Sequence, residues 1–61
     1  MLLNENAEKI LLESFAIEID LEIEALEYEL KIAKLNDREN DIEFLEWKIK
    51  ELQSELLAMG Y

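Results

Sequence analysis

The fold of this chain is decided by one polar stretch near its middle, Asn36-Asp37-Arg38-Glu39-Asn40-Asp41. Such short polar side chains bond to nearby backbone groups and favour turns and helix caps. The flanking sequence is rich in Glu, Leu, Ile, Ala and Lys, which favour helix. Neither Gly nor Pro occurs between Met1 and Met59. We therefore expect a single all-α domain over residues 1–61, with helices at about 5–35 and about 40–59 and a turn at about 36–40.

Residues with cap-forming side chains support these helix ends. Asn40 is the predicted N-cap of helix two, because the acid that follows it, Asp41, is stabilised in the first turn of a helix. Asn4 or Asn6 is the predicted N-cap of helix one. Gly60 lies where a helix C-terminus favours a residue that tolerates the left-handed conformation.

Helix two carries a single apolar stripe. Its large apolar residues follow the 3-4-3-4-3 spacing of a coiled-coil seam, and they are Ile42, Leu45, Ile49, Leu52, Leu56 and Met59. This pattern predicts that helix two packs along another helix. It suits both an antiparallel hairpin and a parallel dimer.

Helix one is harder to assign from its pattern. Between Ile17 and Glu24 apolar and acidic residues alternate, as they do in a half-buried strand. Glu is rare in strands and a lone ribbon has no partner strand, so a helix is the preferred prediction. The helix then has two apolar faces at about 100° per residue. One face holds Leu12, Ala16, Ile19, Ile23, Leu26, Leu30 and Ala33, and the other holds Ile10, Ile17, Leu21, Tyr28, Ile32 and Leu35.

Because a single partner helix cannot cover both faces, we expect self-association. The preferred architecture is a two-helix antiparallel hairpin that forms a homodimeric four-helix bundle, with the helix-one pair at its centre. The alternative is a single long helix in a dimeric coiled coil, which would place Glu24, Lys31 and Arg38 at core positions. The residues predicted at the oligomer interface are Ile10, Leu12, Phe15, Ile17, Ile19, Leu21, Ile23, Leu26, Tyr28, Leu30, Ile42, Leu45, Ile49, Leu52 and Leu56.

The chain is strongly acidic, with 16 Asp or Glu, 6 Lys or Arg, and a net charge of −10. This charge disfavours direct binding to nucleic acid and to anionic membranes, both of which attract Lys and Arg. Seven acids and no base lie from Glu13 to Glu29. A basic protein partner is the natural counterpart of this surface.

The leading functional hypothesis is therefore a small acidic regulator that binds another protein, as a DNA-mimic inhibitor of a nucleic-acid-binding protein does. The predicted acidic array is Glu18, Asp20, Glu22, Glu24, Glu27 and Glu29. The alternative is a structural module whose partner is only itself, with acids that serve solubility.

Two aromatic residues form a second candidate site. Trp47 lies well away from the helix-two seam, on a side that it shares with Phe44. Buried Trp is a frequent interface anchor, so this pair is the predicted apolar contact for a partner. The alternative is that Trp47 packs under a neighbouring helix of the bundle.

Enzymatic chemistry has few candidate residues. The chain has no His and no Cys, and Ser14 and Ser54 have no base to activate them. A carboxylate-only Mg²⁺ site at the pairs Glu24/Glu27 or Glu43/Glu46 is a remote alternative. We expect no enzyme activity, no cofactor and no metal.

The sequence also carries an expectation about location. The start of the chain lacks the basic residues and the long apolar stretch of a signal peptide, and Cys is absent. The longest apolar run, residues 56–59, is far too short to cross a bilayer. The expected location is the cytoplasm.

Overall fold

The computed structural model describes residues 2–60, with side chains from Ala7 onward. Within that range it contains two helices, α1 (Leu2–Leu35) and α2 (Glu39–Ala58), and no strand. α2 folds back along α1 to form a hairpin that measures 54 × 16 × 12 Å. The all-α helical hairpin is confirmed. The strand interpretation of residues 17–24 and the unbroken-helix alternative are wrong, because residues 17–24 are helical and the chain reverses at residues 36–38.

The chain reversal is built from backbone hydrogen bonds. Asp37 adopts a left-handed conformation with φ of 55°. Its N–H donates to the carbonyl of Lys34 at 3.3 Å, and the N–H of Arg38 donates to the carbonyl of Ala33 at 3.0 Å. These two bonds define a Schellman motif, which satisfies carbonyls that the last turn of a helix leaves without partners. The motif therefore ends α1 and reverses the chain in three residues.

The start of α2 differs from the sequence-based prediction. Arg38 is its N-cap, its side chain makes no capping hydrogen bond, and its carbonyl accepts the N–H of Ile42 at 3.0 Å. The prediction of Asn40 as N-cap is wrong. Because the Schellman motif closes at Arg38, the chain enters α2 at Glu39 and Asn40 lies inside the first turn.

At the open end of the hairpin, the predicted N-cap of helix one is wrong and the predicted left-handed residue after helix two is confirmed. α1 begins at Leu2, so Asn4 and Asn6 lie within the helix rather than ahead of it, and their side chains fall outside the described residues. Gly60 has φ of 88° directly after the α2 C-cap, Met59, and its N–H donates to the carbonyl of Leu57 at 3.0 Å. The left-handed residue predicted at the end of α2 is therefore present.

The core lies where the apolar stripe of α2 meets one face of α1. Its centre is formed by Ile23 of α1 with Ile49 and Leu52 of α2, each buried. Half-buried side chains pack around this centre, and they are Ile19, Leu26, Leu30 and Leu56. Ala16 and Ala33 are buried towards the two ends of the contact, where small side chains let the helix backbones approach closely. This face of α1 is called the inner face below.

α1 is much longer than the helix that covers it. It has 34 residues, whereas α2 has 20, so the N-terminal part of α1 extends past the end of α2. The side chains of Ile10, Leu11, Leu12 and Phe15 are exposed there. Within residues 2–60, neither helix has a stretch apolar and long enough to span a membrane.

Two leucines of α2 test the placement of the core. Leu52 is 5% exposed, so Leu52→Ala should lower the free energy of unfolding by about 2–4 kcal/mol. A chain of 61 residues has a total of only about 3–9 kcal/mol. Leu57 is 73% exposed, and Leu57→Ala should change the value by no more than about 0.5 kcal/mol. Urea denaturation followed by circular dichroism measures both, and equal effects would contradict the core.

The left-handed residue of the turn offers a second test. Asp37→Gly should raise the free energy of unfolding by about 0.5–1 kcal/mol, because Gly adopts positive φ without a steric penalty. The control is Arg38→Gly, at φ of −89°, which should be destabilising. Thermal denaturation distinguishes the two variants. A loss of stability in Asp37→Gly would show that the turn is not a Schellman motif.

Candidate protein-binding surface

The side of α1 that points away from α2 carries a line of large apolar side chains. We call this line the outer face, and its members are Ile10, Ile17, Leu21, Tyr28 and Leu35. Their side chains are 58–78% exposed. The line extends over 25 residue steps, or about 38 Å of helix. The hairpin thus buries one apolar face of α1 and leaves the other to solvent, except for Ile32, which is half-buried near the turn.

Two rows of carboxylates border the outer face. The first row is Glu13, Asp20, Glu24 and Glu27, and the second row is Glu18, Glu22 and Glu29. All seven residues are exposed. Among the described side chains the one ion pair joins Arg38 Nε to Asp41 Oδ2 at 3.6 Å, at the turn. Among the described side chains, no cationic group therefore lies within 4.0 Å of a carboxylate of either row.

The linear density of these acids is close to that of a nucleic-acid strand. Seven acids lie from Glu13 to Glu29, and no base lies between Lys9 and Lys31. The helix from Glu13 to Glu29 is about 24 Å long, so the two rows counted together give roughly one charge per 4 Å along the helix axis. One strand of duplex DNA carries about one charge per 3.4 Å along the axis.

The predicted aromatic anchor is exposed in the hairpin. The rings of Phe44 and Trp47 lie 6.2 Å apart between centroids, at an angle of 39°. The two residues are 58% and 57% exposed. Within the single chain, Trp47 does not pack under a neighbouring helix. The pair forms an exposed apolar patch on α2.

Trp47 and the acidic array meet at one groove between the helices. The groove has a volume of about 540 Å³, and it is lined by Glu27, Leu30, Glu46, Trp47, Ile49 and Lys50 together with Gln53. The structure therefore brings Glu27 and Trp47 of the two predicted sites together. Glu29 of the second row instead lines a smaller groove near the turn, with Ile32, Arg38 and Leu45.

The predicted oligomer-interface residues divide into two groups. Nine of them contribute to the contact between α1 and α2, and they are Ile19, Ile23, Leu26, Leu30, Ile42, Leu45, Ile49, Leu52 and Leu56. The other six are exposed, and they are Ile10, Leu12, Phe15, Ile17, Leu21 and Tyr28. Only the second group is available to a partner of the folded hairpin.

One further groove was not anticipated from the sequence. It lies beside the last turns of α2, has a volume of about 530 Å³, and is lined by Glu13, Ala16, Ile17, Asp20 and Leu56. It forms because α2 ends while α1 continues. The difference in predicted helix length was the signal that could have located it.

Among the side chains that the structure describes, no three acidic residues converge to hold a metal ion, at Glu24 and Glu27 or elsewhere. Comparison with protein-family models, with curated proteins and with solved structures finds no match to this chain. The surface of the hairpin is therefore the remaining guide to its function.

The exposed acids predict a specific dependence of stability on salt. Repulsion among unpaired carboxylates opposes folding, and salt screens it, because the Debye length falls from about 30 Å at 0.01 M to about 3 Å at 1 M. Over that range of NaCl the melting temperature should rise by about 4–8 °C, equivalent to about 1 kcal/mol. The control variant Glu18→Gln/Glu22→Gln/Glu29→Gln should show a smaller rise. A melting temperature that falls with salt would contradict repulsion.

Proposed function

We propose that this protein is a small acidic helical regulator that acts by binding another protein. The surface that carries the binding is the acidic array Glu18, Asp20, Glu22, Glu24, Glu27 and Glu29. We propose that it occupies the basic surface with which a cytoplasmic partner binds DNA or RNA. The observation that supports this most strongly is the two rows of exposed, unpaired carboxylates, which together have nearly the linear charge density of one DNA strand.

The energetic effect of the acids supports a functional role. Glu18 and Glu22 are four residues apart, as are Asp20 and Glu24, so each pair lies on one side of the helix. Like charges at this spacing destabilise a helix by about 0.2–0.5 kcal/mol per pair. The same charges attract a basic partner over long range and speed its association. The arrangement weakens the free hairpin and favours the complex.

The amount of exposed surface also favours a partner. The chain exposes 5195 Å². A compact monomer of 7.2 kDa exposes about 4100 Å². The excess is about 1100 Å², and one side of a standard protein interface buries about 800 Å². The outer face and the pair Phe44 and Trp47 supply apolar contacts for such an interface.

The same excess supports a second candidate function, a structural homo-oligomerisation module. In that case two hairpins would pair as a four-helix bundle with the α1 helices at its centre. The two functions predict different behaviour. The module has no partner except itself, whereas the regulator competes with nucleic acid for a basic protein.

Charge reversal with a matched control tests the proposed function. Glu18→Lys/Glu22→Lys/Glu29→Lys reverses three exposed acids of α1 and takes the net charge from −10 to −4, since each reversal adds two positive units. The control Glu43→Lys/Glu51→Lys/Glu55→Lys makes the same change in net charge on exposed positions of α2. Circular dichroism should show that both variants stay helical.

The binding assay uses immobilised protein and an extract of the cell that produces it. We expect the wild-type chain to capture a nucleic-acid-binding protein that excess duplex DNA or RNA releases. The α1 variant should associate with it more slowly by about tenfold or more, and the α2 variant should stay close to wild type. Capture that nucleic acid does not compete, or equal loss in both variants, would contradict the proposed function.

A further inference from the structure

We propose that the outer face of α1 docks an amphipathic helix of the partner, and that Lys or Arg residues flank the apolar seam of that helix. This inference rests on the proposed function, because it names the structural element through which the basic partner binds. It follows from three features of the outer face: its spacing, its acidic borders and the charged residues that interrupt it.

The spacing of the outer face is that of a helix-pairing seam. Ile10 and Ile17 are seven residues apart, Leu21 follows four residues later, and Tyr28 and Leu35 continue at intervals of seven. Heptad spacing of this kind matches a second helix laid along the first. The exposed stretch from Ile10 to Leu35 would take a partner helix of about 25 residues. α2 cannot fill it, because its own stripe is already packed on the inner face.

A second copy of the chain in parallel orientation does not fit this seam. The seven-residue series that begins with Ile10 and Ile17 continues with Glu24 and Lys31, both exposed. In a parallel pair, equal positions face each other, so Glu24 would meet Glu24 and Lys31 would meet Lys31. Like charges brought together and desolvated at a helix interface are strongly unfavourable.

A second copy in antiparallel orientation matches the charges of the seam less well than a basic helix does. In that arrangement the same edge of each helix faces its equivalent in the other copy. Of the three acids Glu13, Asp20 and Glu27, the last two would then face each other across the two copies, whereas Glu13 would face Lys34, which continues the same seven-residue series. None of the three has a cationic partner within 4.0 Å in the hairpin. The acidic borders thus favour a helix with Lys or Arg on its flanks over a second copy, in the way that charged flanking residues set partner choice in coiled coils.

The interrupting charges specify the partner further. A basic residue opposite Glu24 and an acidic residue opposite Lys31 would pair both charges and fix the register. Tyr28 lies between them on the same face and is 67% exposed. Its ring can cover the apolar part of the partner while its hydroxyl stays in water. The expected partner helix therefore has an apolar seam, Lys or Arg along its flanks, and one acidic residue near one end.

Three designed peptides of about 28 residues probe this docking site. The basic-seam peptide has Ile and Leu along its seam and Lys on both flanks, and the acidic-seam peptide has Glu in place of Lys. The scrambled peptide has the composition of the basic-seam peptide without its seam. We expect the full chain to bind the basic-seam peptide, to bind the scrambled one weaker by about tenfold or more, and not to bind the acidic-seam peptide.

Two double variants locate the binding. Leu21→Gln/Tyr28→Gln removes two apolar side chains of the outer face without changing the charge, and it should weaken binding of the basic-seam peptide by about tenfold or more. Leu57→Gln/Ala58→Gln replaces two exposed apolar residues of α2 that lie outside the proposed binding surface, and it should leave that affinity unchanged. All four positions are exposed, so melting temperatures should stay close to wild type. Ile17→Gln/Leu35→Gln provides an independent second variant of the outer face.

Several outcomes would overturn the docking site. Equal affinity for the scrambled and basic-seam peptides, or unchanged affinity in both outer-face variants, would show that charge alone holds the partner. In that case the acidic array could still act, and the proposed function would stand or fall on competition with nucleic acid. Sedimentation equilibrium supplies the other test. A wild-type dimer that Leu21→Gln/Tyr28→Gln converts to a monomer would assign the outer face to a second copy.

Discussion

One neighbouring helix can cover only one face of a helix, and this geometric limit determines how the hairpin packs. α1 is apolar on two faces, whereas α2 supplies a single stripe, so packing of Ile49 and Leu52 against Ile23 satisfies only half of α1. The hairpin has few buried side chains for its length, and half of the large apolar residues that the structure describes are exposed. A fold with so small a core is stable by a narrow margin, and covering the outer face would add to that margin.

The acidic rows determine what can cover the outer face. They keep an apolar helix hydrated in the free chain, and they also make a matching acidic helix a poor partner. A basic amphipathic helix reduces both apolar exposure and charge repulsion, because it buries the apolar line of the outer face and neutralises the carboxylates beside it. The same acidic residues therefore keep the free chain soluble and determine which partner it binds. This links the small core of the free hairpin to its proposed role as a regulator that acts in a complex.

Much of this structure follows from the spacing of residues. The period of the apolar positions predicted the stripe of α2 and both faces of α1, and the polar stretch at 36–41 located the reversal. The N-cap of α2 could not be predicted, because several residues of that stretch can cap or turn. The choice is made by backbone bonds around Asp37. The exposure of Trp47 was equally open, because it depends on how two distant segments pack rather than on local pattern. The groove beside Leu56 depends on where α2 ends.

In this account the inner face of α1 packs on α2 and holds the hairpin together, and the outer face binds a basic helix of the partner. Methyl NMR of the full chain, titrated with the basic-seam peptide, tests it most directly. We expect shifts in the methyl signals of Ile10, Ile17, Leu21 and Leu35, with Ile23, Ile49 and Leu52 unchanged. Shifts centred on Ile23, Ile49 and Leu52 would contradict the account, because they would show that the peptide displaces α2. An absence of methyl shifts on the outer face would contradict it equally.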